Sequence, residues 1–129
     1  MKRKYHIYTD ASVKEKEHGI AIIITRNHNI VEVYYKHFSK HTNPSKAEHK
    51  AVQYAIKRMC EIYHVSKADY TIYCDFQPLS VIHKKQVKWI KGHRNHHDAS
   101  WKYKFNCLAD YVAKNGLIDW RDWWYSNKF

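Results

Sequence analysis

Apolar positions change their period along the chain. From Tyr5 to Asp10 they alternate with polar ones in a stretch rich in Tyr and Ile, which predicts a β-strand. Gly19 to Thr25 is mostly apolar and strand-length. Asn27-His28-Asn29 predicts a turn, and Ile30 to Lys36 a third strand, so this part reads as an antiparallel meander. The period then lengthens. Thr42-Asn43-Pro44-Ser45 offers capping side chains and a proline suited to a first helical turn. Ala51, Val52, Ala55, Ile56 and Met59 follow at helical spacing, predicting a helix to about Tyr63. Tyr70 to Cys74 predicts a fourth strand, Pro78 to His83 one or two helical turns, and Val87 to Ile90 a short fifth strand. Trp101 to Asn115 predicts a helix that Gly116 ends. Three strands followed by strands alternating with helices predict an α/β fold, a mixed five-stranded sheet flanked by helices.

One echo inside this pattern bears on function. Tyr5-His6-Ile7-Tyr8-Thr9-Asp10 and Tyr70-Thr71-Ile72-Tyr73-Cys74-Asp75 share the form Y-x-I-Y-x-D. If the two strands are parallel neighbours, both aspartates emerge side by side at the C-terminal edge of the sheet. That edge is where open α/β sheets bind ligands.

Composition narrows the picture. The 129 residues suit a single domain over residues 1–129, with an aromatic tail at 116–129. The longest apolar run, Ile20 to Ile24, is far short of the roughly 20 residues of a membrane span, and no signal-peptide pattern follows the basic Met1-Lys2-Arg3-Lys4. The expectation is a cytoplasmic monomer with no membrane partner. Cys60, Cys74 and Cys107 form no CxxC pair, which fits reduced thiols buried as small apolar side chains. The net charge of +11 calls for an anionic partner. Its lysines are spread over strands, loops and helices instead of forming one basic amphipathic helix, which favours nucleic acid over an acidic membrane.

Against that basic background four acids stand in apolar surroundings. Asp10 and Asp75 end strand patterns. Glu48 precedes Val52, Ala55 and Met59 at +4, +7 and +11, beside the apolar helix face. Asp110 lies between Leu108-Ala109 and Val112-Ala113. Taken singly, each has an ordinary explanation: a turn or cap for the aspartates, a response to the helix dipole for Glu48, an i+4 pair with Lys114 for Asp110. Taken together they would repel one another, and bound divalent metal is the usual remedy. Oxygen donors without thiolates favour Mg2+ or Mn2+ over zinc. Two such ions about 4 Å apart activate a water and stabilise the leaving oxygen of a phosphodiester.

Five segments occur in the same order as the motifs of the ribonuclease H family of the bacterial and retroelement type. They are Tyr8-Thr9-Asp10-Ala11-Ser12, Ala47-Glu48-x-x-Ala51, Tyr73-Cys74-Asp75, Trp89-Ile90-Lys91-Gly92-His93 and Asn106 to Ala113 around Asp110. The chain resembles that family over residues 5–114. The resemblance implies a ribonuclease H-like fold and hydrolysis of the RNA strand of an RNA–DNA hybrid duplex with two ions, Mg2+ or Mn2+. It implies that Asp10, Glu48, Asp75 and Asp110 bind the metals, with Asp10 bridging them, that His93 assists proton transfer or product release, and that Asn106 supports the site or the substrate. Ser12, Asn43, Ser45, Lys84, Lys85 and Lys88 are the further candidate substrate contacts.

Three features depart from the pattern, one of them the loop from His93 to Asp110, which is longer than expected and carries Arg94, His96, His97 and Asp98. Phe76-Gln77 follows Asp75 where the family has a small polar residue. The segment 76–88 is also too short for the helices and basic handle of longer members, leaving Lys84, Lys85 and Lys88 in their place. The tail Ile118-Asp119-Trp120-Arg121-Asp122-Trp123-Trp124-Tyr125 either packs on the domain or stacks on bases. His96 and His97 read as surface histidines rather than metal ligands. Two other functions stay open on sequence alone: a junction or single-strand nuclease using the same acids, and a non-catalytic nucleic-acid-binding module.

Overall fold

The computed structural model describes residues 4–83, 85–90 and 100–127. Three antiparallel strands come first, β1 (Tyr5–Val13), β2 (His18–Arg26) and β3 (Asn29–Phe38). Helix α1 (Pro44–Glu61), strand β4 (Tyr70–Cys74), helix α2 (Gln77–Ile82), strand β5 (Val87–Trp89), and helices α3 (Trp101–Asn115) and α4 (Trp120–Ser126) follow. The sheet order is β3-β2-β1-β4-β5, with β4 and β5 parallel to β1. The expected mixed five-stranded sheet is therefore present.

Local chemistry explains the element ends. Asn27 and His28 both have left-handed backbones, as a two-residue hairpin turn matched to strand twist requires. Asn43 caps α1 by accepting a hydrogen bond from the Lys46 N–H at 2.8 Å, and Pro44 fills the first turn. Ser100 caps α3, and Gly116, at φ +75°, ends it.

Helices cover both faces. Ile7, Ile22, Ile24 and Ile72 pack with Val52, Ala55 and Met59 of α1. Tyr8, Ala21, Ile23 and Tyr73 pack with Phe105, Leu108 and Val112 of α3. With β2 buried on both sides, its sequence reads as a continuous apolar run without alternation. An ion pair from Arg58 of α1 to Glu32 of β3, joined by the Tyr63 hydroxyl, ties the helix to the sheet edge.

Two expectations need correction. The first strand does not stop at Asp10; it runs on to Val13 because β2 stays paired with it to His18. The cysteines are free, as expected, but only Cys74 is buried, while Cys60 is exposed and Cys107 half-buried.

The open alternative for the aromatic tail is decided by packing. Residues 120–126 form a helix not evident in the sequence, with Trp123 stacked on Tyr111 at 4.6 Å and Trp124 on Phe105 at 5.1 Å. Those indoles extend the α3-side core.

Close approach of α3 to the sheet depends on Gly19. A Cβ there would sit 2.8 Å from the Tyr35 ring and 3.0 Å from the Ala113 carbonyl oxygen. Gly19→Ala is expected to cost about 1–3 kcal/mol, the usual range for overpacking. A urea midpoint equal to wild type would show that α3 can shift freely.

Candidate active site

The sequence echo acquires a geometric meaning in the sheet. Strands β1 and β4 pair in parallel from Tyr5↔Tyr70 to Tyr8↔Tyr73. Asp10 and Asp75 each lie two residues beyond the last of these pairs, so the identical motifs deliver both aspartates to one point past the paired region. Glu48, near the N-terminal end of α1, is delivered to the same point by the packing of that helix on β1. One carboxylate oxygen each from Asp10, Glu48 and Asp75 lies within 4.8 Å of the others.

These acids are not solvated surface groups. Asp10 is 5% exposed and Glu48 9%, and Asp75 is half-buried. Burial, reinforced by the neighbouring carboxylates, holds both Asp10 and Glu48 well above the ordinary carboxylate range. Asp10 faces Glu48 closely enough to share a hydrogen bond with it, which eases part of that rise at Glu48. The Ala11 N–H donates to Asp10 Oδ1 at 2.8 Å and fixes its direction. Trp89 Nε1–H donates to the Asp75 carbonyl at 3.2 Å, anchoring the turn that presents that side chain.

The fit to a divalent cation can be tested on the donor atoms. Glu48 Oε1 is buried, and no group among the described residues donates to it. A buried acceptor with no donor is costly, and a cation satisfies it. Cys74 adjoins the cluster and burial raises its thiol to about 12, but the ligand atoms that gather among the described residues are the carboxylate oxygens of Asp10, Glu48 and Asp75. An oxygen set of clustered carboxylates suits a hard ion such as Mg2+ or Mn2+.

The fourth acid is placed differently. Asp110 is not one of the three gathered carboxylates; its Oδ2 accepts from Lys114 Nζ at 3.1 Å and its side chain is 41% exposed. This is the i+4 pair that the sequence left open. Its charge still acts on both Asp10 and Glu48, and it lines, with Asp75, Asn106 and Tyr103, a cleft of about 320 Å³ along α3. Asn106 is buried, and no donor among the described residues reaches its Oδ1.

Other expected contacts are scattered. Ser12 is half-buried near Gly19 and Lys114, Ser45 is exposed in the first turn of α1, and the side-chain oxygen of Asn43 is occupied in capping that helix. Lys85 sits with Lys67 and Ile56 on the α1 side. Lys88 follows Val87, which packs on the α1 side, so it points to the opposite face of the sheet. Lys84 and His93 lie outside the described residues, as do His96 and His97. Sequence reasoning missed what holds the acids in place. The Ala11 N–H leaves no signature in side-chain identity, and Trp89 was visible as a motif residue but not as an anchor.

No protein-family model and no curated protein matches the chain. Among solved structures it is similar to LC11-RNase H1, isolated from compost by a metagenomic approach, with a TM-score of 0.63 and 15% identity over 88% of this chain and 94% of that one. It is also similar to LC11-RNase H1 in complex with an RNA/DNA hybrid, with a TM-score of 0.53 and 17% identity over 88% and 79% of the two chains. No helix of the described residues is long and apolar enough to cross a membrane. Strand order, two-sided helix packing and these superpositions agree: this chain has the ribonuclease H-like fold.

Proposed function

We propose that this chain is an endoribonuclease that hydrolyses the RNA strand of RNA–DNA hybrids with two divalent ions, Mg2+ or Mn2+. The observation that carries the reading is the convergence of Asp10, Glu48 and Asp75, two of them buried, in a protein of net charge +11. A structural neighbour that holds an RNA/DNA hybrid supports the substrate class.

In this reading Asp10, Glu48 and Asp75 would hold the ions and Asp110 would complete the set. Divalent ions bound there would supply a water of lowered pKa and offset the charge that develops on the phosphate. The residues do the rest. Asp10, fixed by the Ala11 N–H, stays aimed at the reacting centre without rearranging. Lys114 spreads the negative charge of Asp110 and so reduces its repulsion of substrate phosphate. Asn106 offers hydrogen-bonding groups to the cleft, and His93 moves a proton to or from the departing group. Ser12, Asn43, Ser45, Lys84 and Lys85 would contact the backbone of the hybrid, with Lys88 set apart on the face opposite Lys85, and selectivity for RNA would come from 2′-hydroxyls.

The deciding experiment is a cleavage panel of hybrid, single-stranded RNA, double-stranded DNA and a DNA junction, with chelator and then with Mg2+ or Mn2+ restored. Cleavage confined to the RNA of the hybrid, lost with chelator and recovered with the ion, is expected. Cutting of the junction or of DNA instead would assign a different nuclease, and binding without cleavage under every ion would leave a binding module.

His93→Ala is expected to slow hybrid turnover by roughly 10- to 1000-fold, the range for one proton-transfer or release group. A loss as complete as that of an acid variant would make His93 a metal ligand.

A further inference from the structure

A second cluster of charge lies away from the acids, on the α3 face of the sheet. His6 of β1 meets the Tyr73 ring at 5.6 Å between centroids. Lys102, in the first turn of α3, holds its Nζ 5.1 Å above the same ring. Lys88 is the β5 partner of Tyr73 in the sheet register. His28, in the β2–β3 turn, stacks on Trp101 at 5.0 Å, next to Lys102. Lys4 precedes β1 at the same end.

Lys4, His28, Lys88 and Lys102 are exposed, and no acidic side chain of the described residues forms an ion pair with them or with His6. All four lie close enough to act on His6, whose imidazole is pushed below its usual range first by burial and then by them. Uncompensated like charges destabilise a fold, so a patch of this kind is better explained by an anionic ligand than by stability.

Position and surface identify the ligand. His6 is four residues before Asp10 on the same strand, about 13 Å at strand rise. The acids open at the end of the parallel strands, whereas the patch lies down the flank of the sheet. A duplex seated on the acids is stiff over about 150 base pairs and does not turn that corner, but a single strand does. The cleft lined by Asp75 extends along α3 to Tyr103, in the first turn of that helix. Nearby rings are already engaged. Trp101 stacks with His28 and Phe105, and Tyr73 with Tyr8 and Lys102, which leaves phosphate attraction instead of base stacking.

We propose that Lys4, His6, His28, Lys88 and Lys102 form a secondary site for the phosphate backbone of a single-stranded extension flanking the hybrid, bound without regard to sequence. The substrate in this proposal rests on the nuclease reading, but the site does not require cleavage.

The test uses a hybrid of about ten base pairs, blunt or carrying a single-stranded DNA tail of about ten nucleotides at either end. Binding is measured directly without divalent ion, and cleavage of the blunt hybrid is measured separately. Wild type is expected to bind a tailed hybrid more tightly than the blunt one. Lys4→Glu/Lys102→Glu should lower affinity for the tailed hybrid roughly tenfold and flatten its log–log salt slope by about 1 to 2. Blunt-hybrid binding and cleavage should hold. Lys4→Gln/Lys102→Gln, which adds no repulsion, should give the same slope change.

Equal affinity of wild type for tailed and blunt hybrids overturns the proposal, and so does an equal loss on both substrates in the variants. Absence of cleavage by wild type overturns the nuclease reading while the tail comparison still decides the site.

Discussion

Asp10→Asn is expected to reduce hybrid cleavage by roughly 10³-fold or more, because removing an ion ligand forfeits several kcal/mol of transition-state stabilisation. Asp10 is the most buried of the three gathered acids, and its carboxyl is felt by Glu48, Asp75 and Asp110 alike. The amide keeps the shape and can still accept the Ala11 N–H bond, so the fold is expected to survive. Without metal the variant should melt at a higher temperature than wild type, since it deletes a charge that burial and neighbours oppose. Hybrid binding should persist, because attraction to phosphate comes from the basic residues. Near-wild-type turnover in a folded Asp10→Asn protein would end the proposed mechanism. By contrast, Asp110 sits apart from the three and is already paired with Lys114, so Asp110→Asn should cost less than Asp10→Asn.

What the sequence revealed follows from which physics is local. The Y-x-I-Y-x-D echo was readable because strand register carries identical motifs to identical heights, and Asp10 and Asp75 are where that argument puts them. Glu48 was readable because a helix has a fixed period and an acid beside Val52, Ala55 and Met59 must be near the core. Asp110 was equally conspicuous among apolar residues. Whether it turns to the other acids or to Lys114 depends on how α3 sits on the sheet, which spacing does not encode. The aromatic tail hid for a related reason. Its stacking partners, Tyr111 and Phe105, lie on another helix, and nothing between Trp120 and Tyr125 favours packing over base stacking on its own. Lys84, Lys85 and Lys88 looked like one patch because they are neighbours in sequence. Strand alternation from Val87 to Lys88 sends Lys88 to the face opposite Lys85, where it joins Lys102 and His6. A one-dimensional charge cluster is thus divided by a sheet only one layer thick.

The acid cluster also dictates an unusual dependence of stability on pH. Asp10 is held above the ordinary carboxylate range by burial first and then by Glu48 and Asp75, and Glu48 by burial first and then by Asp75. Between about pH 4, where an exposed carboxyl ionises, and that raised range, the folded protein keeps a proton that the unfolded chain has released. Stability of the metal-free protein therefore falls as pH rises through this window. Each unit of raised pKa is worth about 1.4 kcal/mol, so a rise of even two units costs about 3 kcal/mol, on the order of 10 °C in melting temperature for a chain of this size. In chelator, wild type should melt substantially lower at pH 8 than at pH 5. Asp10→Asn should show a much shallower fall, having lost the strongest repulsion. Saturating Mg2+ or Mn2+ should raise the pH 8 melting temperature of wild type and do little for the variant, since an ion stabilises the folded state only through the affinity it has for it. The lowered imidazoles of His6 and His83 push stability the other way over this window, so the acids are read from the difference between wild type and Asp10→Asn: identical pH profiles for the two metal-free proteins would mean that the carboxylates are solvated or paired in solution. The clustered, ion-demanding site would then be wrong, whatever the cleavage assays showed.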